Sequence, residues 1–521
     1  MKTAETKKQS GLFFRFVKLV EAGGNKLPHP VYIYVFLIAV VFVVSMICAN
    51  AGVSVSYDAV NRATGEIVPT TVHAVNLFSK EALQKFLANI VTAYDNNAVL
   101  PAILVITMFI AVADKSGFFS AALRKLLLGA PRSVATYALA VVGVCANVMS
   151  DAGMVLAASL GAVVFKAIGR NPWLGIMVGY GAAAAGFTAN LIPANTDILQ
   201  GTITNSVSEP LGVTINPLCN YYFMIVATFF IAAGITLICE KLLVKLLGDK
   251  EPGSAVSDSG VNEYDLTKEE NRGLKYAGIA FLVFAAIILA CAIPKDGFFR
   301  NAEGGLLPRS PLISSLVPII CIAFLVLGVA YGTGSGTIKK AKDVPLMMTD
   351  GVRGLAGLVT NFFPIALFIY VFGLSNLSSI IAVAGERFLR SIGFTGLPML
   401  CVFSITMGVM NMFMYGGASR WAIFAPIFVP MFMGLDIHPA LIQLAYRIGD
   451  SWACNIMPLN ACLLITLTLM SQYRDPEINP DEPGLGTILS SQIPISISTL
   501  VVMLTLMCIF TLTGIPLGPG L

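Results

Sequence analysis

Long apolar runs separated by short charged segments are the feature that most limits what this chain can fold into. Val31–Ala51 and Ile488–Thr513 are each long enough to cross a membrane, which takes about 20 apolar residues. Charged residues make up only 12% of the chain, whereas soluble domains carry about a quarter. In lipid, every backbone polar group must be hydrogen-bonded within the protein. The runs therefore predict an all-α polytopic membrane protein.

Two pairs of apolar segments are too short for two full crossings. In residues 134–168 each arm has about 14–16 residues, and the polar step Asn147–Gly153 separates the arms. Both ends of this pair carry positive charge, which places them on the same face of the membrane. Residues 397–434 repeat the pattern, with a polar step at Gly416–Trp421. We therefore expect two re-entrant hairpins, whose tips need shelter in protein or in a watery cavity.

A repeated motif indicates that the two halves of the chain correspond. Asn190-Leu-Ile-Pro-Ala-Asn195 recurs as Asn455-Ile-Met-Pro-Leu-Asn460, and 455 − 190 gives an offset of 265. The asparagines that begin the two hairpin steps, Asn147 and Asn411, are 264 apart (411 − 147). Broken segments at matching positions of two halves are typical of duplicated transporters and point to a binding site at the membrane midplane. The alternative is a chance coincidence of Asn and Pro in kinked helices.

The distribution of charge orients the predicted segments. Basic residues before the first span place residues 1–28 in the cytoplasm. Residues 29–247 form the first transmembrane repeat, residues 248–272 a polar cytoplasmic linker, and residues 273–521 the second repeat. The second half has one more crossing before its hairpin than the first half, so that the hairpins enter from opposite faces. We predict about nine transmembrane helices and two opposed hairpins, arranged as inverted repeats with broken helices.

Charges within the apolar C-terminal region mark the predicted site. Arg447 and Asp450 are three residues apart, so that they share one face of a helix and can pair. Ionisable residues at membrane depth usually pair with one another and mark a transport pathway. The planar guanidinium of Arg447 suits a carboxylate or a sulfonate, and this role is compatible with a structural partnership with Asp450. Asp450 is also a candidate for the group that titrates.

Other polar residues lie near the breaks and the hairpin tips. Asp197 is either an intramembrane acid or the cap of the helix that follows the first break. Asp151 either binds a cation or caps the returning helix of its hairpin. Trp421 is expected to line the site and stack on a planar ring, with core packing as the alternative. Amide oxygens of both broken motifs suit Na⁺, with a plain kink as the alternative; these belong to Asn190, Asn195, Asn455 and Asn460.

Other functional classes find little support. The glycine-rich segment Gly332–Gly336 lacks the Gly-Lys-Ser/Thr of a P-loop, which argues against ATP-driven transport. The net charge of +4 lies in loops and gives no indication of nucleic-acid binding. Ser419 and Asp450 leave an intramembrane hydrolase as a remote alternative, but no histidine or lysine lies near Ser419 in the sequence. We therefore expect a transporter without a resident cofactor and not an enzyme.

At this point the sequence resembles a known family. AYRIGDS (445–451) followed by Asn and Pro, WAIFAPIFVPM (421–431), LPHP (27–30) and the ending IPLGPG (515–520) are similar to motifs of the AbgT family. Members of that family are p-aminobenzoyl-glutamate transporters and antimetabolite exporters of bacteria. The resemblance runs nearly from end to end.

The resemblance implies a homodimer in the bacterial cytoplasmic (inner) membrane, with a water-filled bowl open to the cytoplasm. It implies folate-related aromatic substrates and, for some members, sulfonamide efflux. The residues that match the family's functional motifs are Asp197, Asn411, Ser419, Trp421, Arg447, Asp450 and Pro458. The chain departs from the family's Gly-Ser-Ala-Ser at Gly416–Ser419, and Arg420 adds a charge at this tip.

The sequence therefore predicts a secondary transporter of p-aminobenzoyl-glutamate or related aromatic carboxylates, driven by an H⁺ or Na⁺ gradient. The alternative within transport is a Na⁺-coupled dicarboxylate carrier, because such carriers also use paired hairpins and Asn-Pro breaks. Import and export use the same site, so the direction is open at this stage, as is the choice between H⁺ and Na⁺.

Overall fold

A computed structural model describes most of the chain. The described residues are 30–60, 67–95, 99–128, 134–249, 266–294, 296–301, 304–306, 310–354, 356–412, 417–457, 460–474, 478–479 and 482–520. Residues 1–28, predicted to be cytoplasmic, lie outside this set, as does most of the predicted linker 248–272. Almost all elements are helices, as predicted.

The first half contains one β-hairpin and a series of helices. These are α1 (Pro30–Asn50), β1 (Ser54–Val60), β2 (Ile67–His73), α2 (Lys80–Ala88), α3 (Ile90–Asp95), α4 (Val99–Lys115), α5 (Phe118–Leu128), α6 (Ala135–Cys145), α7 (Asp151–Ala167), α8 (Pro172–Ala185), α9 (Asn195–Ser208) and α10 (Tyr221–Ile238). A 3₁₀ turn, Ala146–Met149, follows α6, and α10 continues through a π-helical turn to Leu247. The antiparallel strands pair Ser54 with His73 and Val60 with Ile67.

All regular elements in the described part of the second half are helices. Its helices are α11 (Lys268–Ala292), α12 (Pro311–Ser314), α13 (Leu316–Ser335), α14 (Asp343–Gly354), α15 (Ala356–Leu374), α16 (Leu377–Ser391), α17 (Gly396–Asn411), α18 (Gly417–Met433), α19 (Pro439–Cys454), α20 (Ala461–Gln472) and α21 (Leu485–Thr513). The hydroxyl of Thr267 accepts a hydrogen bond from the Glu270 amide (3.1 Å) and caps α11. This helix therefore begins inside the predicted linker.

Both predicted hairpins are present. In the first, Arg170 follows α7 and donates to the Thr136 hydroxyl at the start of α6 (3.1 Å), so that the two ends of the hairpin lie together. In the second, the Phe403 ring in the middle of α17 packs on the Phe432 ring near the end of α18, with centroids 5.1 Å apart. In each hairpin, the tip therefore lies at one end and the outer ends of the two arms lie together at the other.

The two halves use their first hairpin arms in the same way. Asn147 Nδ2 donates to the carbonyl oxygen of Gly186 (2.6 Å), and Asn411 Nδ2 donates to that of Asp450 (2.9 Å). The acceptors are 264 residues apart (450 − 186), which equals the offset between the two donors. These equivalent contacts support the internal repeat inferred from the motifs.

Several helices have the length and composition of membrane spans. Four are found among the described residues: Tyr221–Leu247, α11, the Pro318–Ser335 part of α13, and α21. Two further helix pairs are bent, α4 with α5 by 60° and α15 with α16 by 70°. The second bend sets α16 off from α15 as a separate helix. The total of about nine spans remains a prediction.

Candidate functional site

Each broken motif separates two helices. The first break runs from Gly186 to Ala194 and so begins four residues earlier than the predicted Asn190. Side chains of other elements satisfy the carbonyl groups that it frees. Asn147 donates to Gly186 O, Tyr221 to Leu191 O (2.6 Å) and Arg447 to Thr188 O (3.0 Å). Non-helical backbone at membrane depth is stable where protein groups replace the lost helical bonds in this way.

A cavity of about 280 Å³ lies where the two breaks meet the two hairpin tips. The tip residues Ser150 and Asp151 face Gly417 and Ala418 across it, which places both predicted hairpins at one site. The remaining lining residues come mainly from the breaks and from the helices beside them: Met154, Phe187, Asn195, Thr196, Leu199, Asn411, Arg420, Asp450, Cys454, Met457 and Asn460.

Four helices begin at this cavity. Asp151, Asn195 and Gly417 are the first residues of α7, α9 and α18, and Asn460 is the cap of α20. The Asn460 side-chain oxygen accepts from the Cys462 amide (3.0 Å), which fixes the start of α20. The first N–H groups of a helix have no partner within the helix and carry the positive end of its dipole. Four helix N-termini therefore contribute partial positive charge to the cavity, while Asn411 and Cys454, the last residues of α17 and α19, bring the negative ends of two helices to it.

Two buried ion pairs stand beside the cavity, and their partners differ from the sequence prediction. Arg447 pairs with Asp197 and not with Asp450. Asp450 pairs instead with Arg420 at the second hairpin tip, with Nη2 and Oδ1 2.5 Å apart. The three-residue spacing places Arg447 and Asp450 on one helix, but tertiary contacts bring a closer partner to each. Each buried charge is thereby neutralised.

Asp197 caps the start of α9 and also forms a buried ion pair. Its Oδ2 accepts from the Ala194 amide (2.7 Å), which closes the first turn of α9, and its other oxygen binds Arg447. Arg447 is 1% exposed and is not among the described residues that line the cavity. Arg447 therefore ties α19 to the first break from behind the cavity wall. A direct contact between Arg447 and a substrate stays a prediction.

Trp421 does not line the cavity, contrary to the sequence-based expectation. Its ring is fully buried and stacks on the Tyr446 ring, with centroids 4.4 Å apart and an angle of 24°. Its Nε1 donates to the Thr204 hydroxyl (2.8 Å) on α9. The aromatic face that was expected to receive a ligand ring is thus occupied by Tyr446, so the packing alternative describes this structure.

The four candidate sodium-binding asparagines differ in their availability. Asn455 accepts from the Ser496 hydroxyl (2.6 Å), and Asn460 caps α20, so that both side-chain oxygens are already hydrogen-bonded. The side-chain oxygens of Asn190 and Asn195 are buried and have no hydrogen-bond partner among the described residues. Of the two breaks, the first therefore holds the amide oxygens that lack a partner among the described residues, and of these two asparagines Asn195 lines the cavity. Asp151 is exposed to the cavity at the start of α7.

Two predicted site residues cannot be placed fully. Pro458 lies outside the described residues. Ser419 lies in the first turn of α18, but its side chain is outside the described part of the chain. Asn411, in contrast, lies at the end of α17 and lines the cavity.

Sequence reasoning missed three contributors to the site. Arg420, whose role was left open, is the single charged residue between positions 397 and 434, and this isolation was a usable signal. Gln200 lies three residues after Asp197 on the same helix face and donates to Asp450 Oδ2 (3.3 Å). Tyr446 donates to the Gly417 carbonyl oxygen (2.5 Å) and so holds the second tip against α19. Its position within AYRIGDS carried no separate indication of this contact.

The proximity of the two tips can be tested by crosslinking. Ser150→Cys and Ala418→Cys, combined in a Cys454→Ala background, should be joined by a short bifunctional maleimide because both positions line one cavity. Mass spectrometry of the digested protein would identify the crosslinked peptides. Variants that carry only one of the two introduced cysteines in the same background are the controls. Labelling of each cysteine separately without any crosslink would contradict the placement of the tips.

The sequence matches the profile of the AbgT putative transporter family over residues 15–521. It is 32% identical over 523 residues to the p-aminobenzoyl-glutamate transport protein of Escherichia coli K12, covering 100% of this chain and 99% of that protein.

Two solved structures share the fold. One is the Alcanivorax borkumensis YdaH transporter, with a TM-score of 0.84 and 26% identity, covering 94% of this chain and 100% of that one. The other is Neisseria gonorrhoeae MtrF, described as illuminating a class of antimetabolite efflux pumps; it has a TM-score of 0.88 and 30% identity, covering 95% of this chain and 97% of that one.

Proposed function

Because the chain belongs to the AbgT putative transporter family, we propose that it is a secondary active transporter of p-aminobenzoyl-glutamate and related folate-type aromatic anions. Its relatives are named as transporters or efflux pumps, which fits the expectation that it is a membrane carrier and not an enzyme. The proposed substrates also include sulfonamide antimetabolites, exported by antiport.

The observation that carries this proposal is the meeting of four helix N-termini at one cavity. Backbone N–H groups and helix dipoles at such ends favour negatively charged ligands. Transporters with broken helices place substrate carboxylates against half-helix N-termini in the same manner. Arg420 adds a full positive charge to the wall. The side chains of Asp151 and Asp450 oppose it, so a bound anion depends on the helix ends as well as on the guanidinium.

The names of the relatives support an aromatic anion as the substrate class. The Escherichia coli relative is named for p-aminobenzoyl-glutamate, which carries two carboxylates and an aromatic ring. The Neisseria relative is described as an antimetabolite efflux pump. The cavity wall offers apolar side chains beside its polar groups, among them Met154, Phe187 and Leu199. A ligand with an apolar ring and a charged end matches this mixture.

Coupling to an ion gradient is part of the proposal. Asp450 and Asp197 are buried acids, each paired with an arginine, and they are the proposed sites of H⁺ coupling. Asn190 and Asn195 are the proposed oxygen ligands for Na⁺, because their side-chain oxygens have no partner among the described residues. We further propose a homodimer in the bacterial inner membrane with a cytoplasmic N-terminus.

Flux in liposomes tests the proposal directly. Purified protein is reconstituted, H⁺ and Na⁺ gradients are imposed independently, and the accumulation of labelled p-aminobenzoyl-glutamate is followed. We expect gradient-driven accumulation that an ionophore abolishes, since a secondary carrier has no other energy source. Succinate, an aliphatic dicarboxylate, is the comparison substrate.

Two results would overturn the proposal. Accumulation of succinate without p-aminobenzoyl-glutamate would favour the dicarboxylate carrier. Release of p-aminobenzoate in the absence of any gradient would favour the intramembrane hydrolase, for which Ser419 and Asp450 were the candidate groups. If only one gradient drives flux, that result identifies the coupling ion.

A further inference from the structure

The site contains two buried arginines, and only one of them belongs to the cavity wall as described. Arg420 lines the cavity, whereas Arg447 is held behind the wall by Asp197 and by the Thr188 carbonyl oxygen. A ligand in the cavity reaches Arg420 without disturbing the contact between α19 and the first break. To reach Arg447, the ligand would have to separate that contact.

The Asp450 carboxylate already occupies a complete carboxylate-binding site. Its Oδ1 accepts from Arg420 Nη2 (2.5 Å) and from Asn411 Nδ2 (3.3 Å), and its Oδ2 accepts from Gln200 Nε2 (3.3 Å). The carboxylate also rests on Gly417, the first residue of α18, so closely that a Cβ at this position would overlap with Oδ2. A guanidinium, two amides and a helix N-terminus are the groups that bind a foreign carboxylate.

A cavity-lining group adjacent to this site lacks a hydrogen-bond partner among the described residues. The side-chain oxygen of Asn411 is buried and accepts no hydrogen bond from the described residues, although Asn411 is only 1% exposed. An unmatched acceptor of this kind is costly unless a water or ligand donor satisfies it. The site thus joins a receptor for a carboxylate to an acceptor for an N–H group.

From this geometry we propose that Arg420 binds the anionic group of the transported compound and that Asp450 is its intramolecular competitor. The ligand's carboxylate displaces the Asp450 carboxylate from the guanidinium, and Asn411 Oδ1 accepts from an N–H of the ligand. p-Aminobenzoyl-glutamate carries both groups. The identity of the ligand rests on the proposed function. The competition between Asp450 and a ligand carboxylate for Arg420 does not depend on it.

The competition makes an unusual prediction about affinity. When a protein's own side chain occupies a site, the apparent affinity for a ligand is the intrinsic affinity multiplied by the fraction of time for which the site is free. Asp450→Asn should therefore tighten the binding of p-aminobenzoyl-glutamate, by about three- to tenfold. Arg420→Gln should weaken it by about ten- to a hundredfold, because hydrogen bonds to a charged group are lost. If Asp450 were a ligand for the substrate, Asp450→Asn would weaken binding.

The experiment is a titration of the full-length, detergent-purified protein with p-aminobenzoyl-glutamate and with its dimethyl ester, which lacks the negative charges. The parent should prefer the free acid, and Arg420→Gln should lose that preference. A structural role for Arg420 would lower the affinity for both compounds equally and leave the preference intact, which would overturn the proposal. The matched control is Arg353→Gln, which removes an arginine with a side chain 76% exposed.

Single variants leave one buried charge without its partner and could fold poorly. The double variant Arg420→Gln/Asp450→Asn removes both charges, so it should be monodisperse and bind as weakly as Arg420→Gln. Binding by the double variant at the parental affinity would overturn the proposal.

A second probe, glutarate, separates this proposal from the proposed function. If the parent binds glutarate but not p-aminobenzoyl-glutamate, and the variants keep the expected order, the substrate class is wrong and the competition stands. If p-aminobenzoyl-glutamate binds but the affinities of the parent and the variants do not follow the expected order, only the proposed competition is wrong. Failure of the parent to bind either anion overturns both.

Discussion

Arg447→Ala should destabilise the protein strongly, and a second substitution, Asp197→Ala, should restore much of the loss. Breaking a buried ion pair by removing one partner costs about 3–5 kcal/mol, because the other charge remains buried and uncompensated. In this chain the uncompensated charge is Asp197, on the other half of the molecule. The measurements are the yield, the monodispersity and the apparent melting temperature of detergent-purified protein.

The matched comparison is Arg447→Ala combined with Asp450→Ala. This double variant should remain as unstable as Arg447→Ala or become worse, because it also deprives Arg420 of its partner. If Asp450→Ala rescued the stability of Arg447→Ala and Asp197→Ala did not, the result would show that Arg447 pairs with Asp450, as the helix spacing alone suggests. The two double variants therefore decide between local and tertiary pairing.

Gly161→Ala should also destabilise the protein, because α7 and α8 are in backbone contact at this point. A Cβ on Gly161 would overlap with the Gly175 carbonyl oxygen, and a Cβ on Gly175 would overlap with that of Gly161. Small residues of this kind let membrane helices approach closely. An added methyl group should cost about 1–3 kcal/mol, because the obstacle is backbone and cannot rotate away.

The separation of these helices should also reduce transport. Hairpin arm α7 begins at the Asp151 tip, and α8 leads directly into the first break, so a wider contact moves two walls of the cavity. Gly278→Ala is the control, since a Cβ there meets nothing within 4 Å. Equal melting temperatures and equal flux for the two variants would show that the contact is not needed.

The contacts around the cavity join the two repeats to each other. Arg447 binds Asp197, Gln200 binds Asp450 and Trp421 binds Thr204, and in each pair one residue comes from each half. Alternating access moves one repeat or bundle against the other around a fixed site. Displacement of Asp450 by a ligand, as proposed above, would break the Arg420–Asp450 ion pair between the second hairpin tip and α19. The Arg447–Asp197 pair would remain.

Much of the architecture follows from local chemistry and could be predicted from the sequence. The length and apolar character of each segment decide whether it crosses the membrane or forms a hairpin arm. Pro in the Asn-x-x-Pro-x-Asn motifs removes a donor from the helical ladder, so the helices end near these motifs. The offset between Asn147 and Asn411 nearly equals the offset between the two broken motifs, and it predicted the repeat. In the structure, both asparagine side chains make equivalent contacts. Asp197 as a helix cap also follows from its place after the break.

The choice of charge partners was decided only by the tertiary structure. Helix spacing identifies residues that share a face, such as Arg447 and Asp450, but a buried guanidinium pairs with the acid that the packing brings closest. For Arg447 that acid is 250 residues away in the sequence, in the other repeat. The same holds for Trp421, whose exposed or buried position depends on whether Tyr446 covers its face. Local sequence determines which segments are helical and where they break; the distances between these segments, which no local pattern encodes, decide which side chains meet.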